Sequence, residues 1–156
     1  MAFNPELVES TLFSLLKSAI TTAVPGQFKL FSRHARIWAN ITPAEQPAFF
    51  LLPFGGRVEQ NQAWGAPRYT LRLLALVYTR ADANVSPTNP TAPQTLLNQC
   101  WQAIQAALLG TPPGQPQTLG VAGVVNAWID GEVNMQPGVL DQQCALEAEV
   151  HVMCAI

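Results

Sequence analysis

An α+β fold is predicted, with a mostly antiparallel sheet of four to five strands and two helices packed on one of its faces. Two observations carry most of this. Segments 5–20 and 94–108 repeat apolar residues at helical spacing. Residues 144–154 alternate apolar and polar with period two, the mark of a half-buried strand. A third is the order helix, strands, helix, strands, which suits both helices on one sheet face. The 156 residues fit a single domain over 1–156, long enough to bury a core without disulfides or metals.

Taken in order, Asn4-Pro5-Glu6 opens the first helix: Asn4 caps, Pro5 fits the first helical position and Glu6 suits the positive end of the dipole. Leu12, Leu15, Leu16, Ala19 and Ile20 form its apolar stripe, and Val24-Pro25-Gly26 stops it. Residues 28–41 read either as an irregular segment or as a weak strand. Ala48 to Leu52 is too short for a helix between prolines and reads as a strand apolar on both faces. Residues 57–79 read as a hairpin about Gly65-Ala66-Pro67. Tyr69, Leu71, Leu73, Ala75 and Val77 face the core, while Arg68, Thr70, Arg72, Leu74, Leu76 and Tyr78 face away.

Residues 80–93 form a Pro- and Asn-rich loop, and Thr91 to Gln94 has the spacing of a capping box. The second helix carries Leu97, Cys100, Trp101, Ile104, Ala107 and Leu108, and Gly110 closes it. After a second Pro-rich loop, Gly120 and Gly123 lead into a strand over 122–134. "QPGVLD" then supplies the turn into the C-terminal strand.

Catalytic signatures are missing. No phosphate-binding loop, no G-x-S-x-G and no HExxH or CxxC spacing occurs. His151 shares a strand face with Glu147 and Glu149, either as a titrating or metal-binding site or as a solvated face; on that face Arg68 and Arg72 can pair with the acids if the strands are neighbours. Cys100, Cys144 and Cys154 fall on apolar faces and read as buried core thiols. The chain is read as non-enzymatic, with no cofactor and no metal. Glu6 and Glu9 precede any apolar run, so no signal peptide is expected, and no run approaches the ~18 apolar residues of a membrane span.

Charge tells more. Only 12% of residues are charged, about half the usual ~25%. All eight bases lie between Lys17 and Arg80. Residues 1–80 carry a net +4, whereas residues 81–156 hold six acids and no base. Either the halves pair inside one fold, or complementary faces meet between subunits. With the helices on one face, the other is expected to show Leu74, Leu76, one side of the Phe49–Leu51 strand, and Trp128 among polar Asn126 and Asp130. An exposed Trp in that setting is a typical interface residue; the other reading is a Trp lying flat under a loop. Low charge, split charge and an apolar second face together point to burial against further copies, and head-to-tail contacts of unlike faces make rings or filaments.

"FSRHARIWANITPAEQPAFFLL", "YTLRLLALVYT", "SPTNP", "LLNQCWQAIQAAL" and "QTLGVAGVVNAWIDGEV", in this order, resemble the tail-terminator (tail-completion) proteins of long-tailed bacteriophages and prophages. The resemblance spans nearly the whole chain. It implies a virion structural protein that assembles in the host bacterial cytoplasm into a ring, typically a hexamer. The ring caps the tail tube at its head-proximal end, ends polymerisation and joins the head. The implied partners are further copies of the chain, the major tail tube protein and the head–tail connector, with DNA passing through the lumen without specific binding and no membrane involved. Val121-Ala122 after Gly120 departs from the family pattern, which has a second glycine there. The hairpin tip between Glu59 and Arg68 and the 80–93 loop are expected to make ring-to-ring contacts. The candidate subunit or tube interface is Arg57, Glu59, Arg68, Arg72 and Trp128. The alternatives are another connector or neck ring subunit, or, in a different class, a small-ligand-binding α+β domain.

Overall fold

The computed structural model describes residues 4–34, 36–60, 67–80, 93–137 and 143–156. Helix α1 (Pro5–Ala23) is followed by strand β1 (Leu30–Ser32) and two short 3-10 turns (Trp38–Asn40 and Pro43–Glu45). Then come β2 (Ala48–Glu59), β3 (Arg68–Arg80), α2 (Pro93–Leu108), β4 (Val124–Pro137) and β5 (Gln143–Ala155). The sheet order is β1-β2-β3-β5-β4. Among the described residues only β1 runs parallel to its neighbour; the other three pairings are antiparallel. The α+β expectation holds. The tip at 61–66, most of the 80–93 loop with its capping-box start, and the 138–142 turn lie outside the described residues.

Helix α1 begins as its sequence requires: the Asn4 side chain accepts from the Leu7 amide at 3.3 Å, with Pro5 in the first turn. Its stripe of Val8, Leu12, Leu16 and Ile20 is buried, as are Leu97, Cys100 and Ile104 of α2. Both helices close over one sheet face, built from Phe49, Leu51, Leu73, Val77, Leu146, Val150 and Val152. Gly120 and Gly123 have φ of +66° and +89°, left-handed conformations that let the chain turn from the loop into β4.

Two expectations are corrected. The break at Pro53-Phe54-Gly55-Gly56 does not end a strand. A register shift between Pro53 and Gly55, where φ at Gly55 is +143°, keeps β2 continuous from Ala48 to Glu59. The second sheet face is also less bare than expected at its apolar end. Phe50, Ala48 and Leu76 are buried there with Ile41, and Leu30, Leu52, Leu74 and Tyr78 pack around them. The covering segment follows β1, in the region read as irregular.

That cover is pinned by charge. Arg36 Nη1 donates to Glu45 Oε1 at 2.7 Å and Nη2 to the Asn40 carbonyl at 2.7 Å. Glu45 Oε2 also accepts from the Thr42 amide and hydroxyl, at 3.0 and 2.9 Å. Arg36, with the Thr42 bonds adding to it, lowers the Glu45 pKa to about 2. A depressed carboxylate stabilises the fold above its ordinary value of 4.5, and the contribution is lost as pH falls from there towards 2. An NMR titration is expected to place the Glu45 midpoint near 2, and Arg36→Gln to return it towards 4.5. A midpoint near 4.5 in the parent protein would show that the clamp does not form in solution.

Candidate functional site

Beyond that cover, the face away from the helices is polar, and the strand register builds a patch on it. Gly55, Arg72, His151 and Trp128 stand side by side across β2, β3, β5 and β4. The row on one side is Arg57, Thr70, Met153 and Asn126, and Glu149 and Asp130 are opposed on the other. Because strand side chains alternate between faces, all of these share the open side.

The side chains form one connected line. The Arg72 guanidinium lies over the Phe54 ring, 4.5 Å from its centroid. Arg72 Nε donates to Glu149 Oε1 at 2.6 Å, and the same oxygen lies 2.5 Å from His151 Nε2. The other ring nitrogen, Nδ1, is 3.3 Å from Asp130 Oδ2. Trp128 meets the His151 ring edge-on, with centroids 5.5 Å apart. A neutral imidazole carries one N–H and an imidazolium two, so only the charged ring donates to both carboxylates at once. The Arg72 guanidinium holds Glu149 below the usual carboxylate range and is itself raised by it. The chain's basic and acidic halves therefore meet within the fold here, as one of the two readings of the charge split required.

Four of the five sequence-derived candidates, Arg57, Glu59, Arg72 and Trp128, line one depression of about 410 Å³ together with Asp130, His151 and Met153. Arg57 and Glu59 are mutually 3.5 Å apart and largely exposed. Arg68 lies at the strand end, opposite Glu59 and Ala155, with Nη1 3.8 Å from Met153 Sδ, and lines an adjoining depression of about 380 Å³ with the same Arg57 and Glu59. Glu147, grouped with His151 by alternation, pairs instead with Leu76 and Asn134 further along the sheet. Phe54 also belongs to the patch, and its sequence does not signal this: Pro53-Phe54-Gly55-Gly56 has the composition of a turn, whereas the bulge keeps the strand running and sets Phe54 against Arg72.

The patch offers hydrogen bonds, ion pairs and an aromatic surface. Among the described residues no group of three His, Cys, Asp or Glu is placed to hold a metal. The three cysteines are buried, and burial pushes the Cys100 thiol up to about 12 and Cys154 to about 11. Both stay protonated and inert at neutral pH. No described helix is long and apolar enough to cross a membrane.

No family model matches the chain, and no curated protein does. In structure it is similar to a chain of the virion of a native gene transfer agent particle. The TM-score is 0.55 at 10% identity, with 96% of this chain and 95% of that chain covered. At that identity the likeness is one of fold.

Proposed function

We propose that this chain is a structural subunit of a phage-like virion, forming a ring that caps the tail tube, ends its polymerisation and presents a surface to the head connector. The observation that carries the reading is the fold shared with a virion chain over nearly the full length of both. It agrees with the resemblance to tail terminators. In this reading Arg57, Glu59, Arg68, Arg72 and Trp128 belong to contacts with a neighbouring subunit or with the tube. The ring sits in the virion at the head-proximal end of the tail, and its work is binding and stopping rather than chemistry. DNA crosses the lumen without base contacts.

The test is particle mass by native mass spectrometry, with negative-stain images, and then addition of the protein to polymerising tail tube protein. A closed ring that halts tube growth is the expected result. A ring that binds the connector and leaves tube growth unchanged would place it in the neck instead. A monomer that gains thermal stability from a small molecule would favour the ligand-binding alternative. Trp128→Ala is expected to weaken ring association by about 30-fold or more, the effect of removing an aromatic hot spot worth ~2 kcal/mol. An unchanged oligomer would remove Trp128 from the interface.

A further inference from the structure

The sheet has two open edges. Strand β1 pairs with β2 only at Ala48, Phe49 and Phe50, so from Leu51 to Glu59 the outer row of β2 amides and carbonyls has no strand beside it among the described residues. At the other edge, Ala127 of β4 donates to the Gln117 carbonyl at 2.8 Å. Beyond that bond, from Ile129 to Pro137, β4 pairs with β5 on one side except at Gly131, Glu132 and Val133, and has no strand on the other among the described residues. Open edges are ordinarily blunted by charge, proline or bulges. Here Pro53, the register shift beside it in β2 and the two register shifts of β4, at Val124/Asn126 and Asp130/Asn134, do part of that, yet Phe54 and Val58 on β2 and Val125 on β4 are large apolar residues left exposed on these strands.

We propose that β2 of one copy pairs antiparallel with β4 of the next, continuing one sheet around the ring. This rests on the ring reading above and specifies how its subunits join. The direction follows from topology. Strand β2 is antiparallel to β3, β3 to β5 and β5 to β4, so β4 runs antiparallel to β2. A copy rotated about an axis along the strands keeps their direction, so its β2 meets the neighbouring β4 in antiparallel pairing. Unlike edges meet, which is the heterologous contact that closes a ring. Charge agrees: the open part of β4 carries Asp130 and Glu132 and no base, whereas the open part of β2 carries Arg57 and Glu59 with Arg68 next to them on β3, Arg72 being taken up by Glu149. Main-chain pairing supplies the binding, as in β-strand addition generally.

The test is a double-cysteine ladder. Arg57→Cys is combined in turn with Asp130→Cys, Asn134→Cys and Gln136→Cys, all on the same sheet face. Within one chain β2 and β4 are three strand spacings apart, roughly 14 Å, too far for a disulfide, whose Cα atoms lie ~4.4–6.8 Å apart. Under mild oxidation at least one pair is expected to give a covalent ladder ending at the ring number, while each single variant stays monomeric on a denaturing gel. The native thiols are buried and do not compete. A ring by native mass with no ladder from any pair would overturn the edge pairing and leave the ring reading standing. Dimers from Arg57→Cys alone would also overturn it, in favour of β2 against β2. A monomeric parent protein with no ladder would overturn both.

Discussion

Phe49→Ala is expected to cost about 3–5 kcal/mol, the range for deleting a buried aromatic, against a total stability of ~5–15 kcal/mol for a domain. Phe49 is fully buried on the helix side of β2. Its ring stacks on Phe13 of α1 at 6.1 Å between centroids and meets Phe31 of β1, tilted, at 6.0 Å. The ring thus joins the helix layer to the edge strand. Its main chain is held between β1 and β3, opposite Phe31 and Val77, so the sheet cannot collapse into the space left behind. Urea unfolding measures the loss. Phe49→Leu is expected to lose distinctly less, because it refills most of the volume. A loss below about 1.5 kcal/mol for Phe49→Ala would mean that this part of the core is loosely packed.

The second large effect is expected at Gly110, just past α2. A Cβ there would lie 1.7 Å from the Gln115 carbonyl oxygen and 2.5 Å from its carbon. Those are main-chain atoms and cannot rotate away, so the loop must move. Gly110→Ala is therefore expected to cost at least the ~1–3 kcal/mol of ordinary overpacking. The damage should be directional. Two residues on, Gln117 ties the end of α2 to β4: its Nε2 donates to the Ala107 carbonyl and its amide to Asn126 Oδ1, both at 2.8 Å, and its carbonyl accepts from Ala127. Hydrogen exchange should speed up most at Ala127. Gly114→Ala is the control: nothing lies within 4 Å of its Cβ, and only its φ of +91° is strained. If the two variants were equally stable, close approach would not be what Gly110 provides.

Periodic segments were legible because burial on one face imposes a period. The Leu12–Ile20 stripe and the Cys144–Cys154 alternation both stand in the structure as the sequence implies. So does the pairing of Arg72 with Glu149, which needed only that β3 and β5 be neighbours. What escaped was structure held by tertiary contact rather than by local pattern. Residues 36–46 carry no period; they are placed by Arg36 reaching Glu45 and by Ile41 covering Phe50. Pro53-Phe54-Gly55-Gly56 has the composition of a turn, yet pairing with Leu73 and Arg72 on β3 carries the strand through it as a bulge. Within the patch, Trp128 was legible from alternation, but its contact with His151 depended on a register that no single strand encodes.

The central pairing of the sheet has a consequence for how the chain acquires its shape. Strand β3 is flanked by β2, close in sequence, and by β5, which brings Arg68 opposite Ala155 and Arg80 opposite Gln143. The β2–β3 hairpin can close early, with little chain entropy to overcome. The β3–β5 ladder closes a much longer loop, and such non-local pairings slow folding towards the ms–s range. During synthesis, β3 therefore waits with one side bare until the C-terminal strand has left the ribosome. A half-built sheet of this kind is the form most prone to mispairing with another nascent copy.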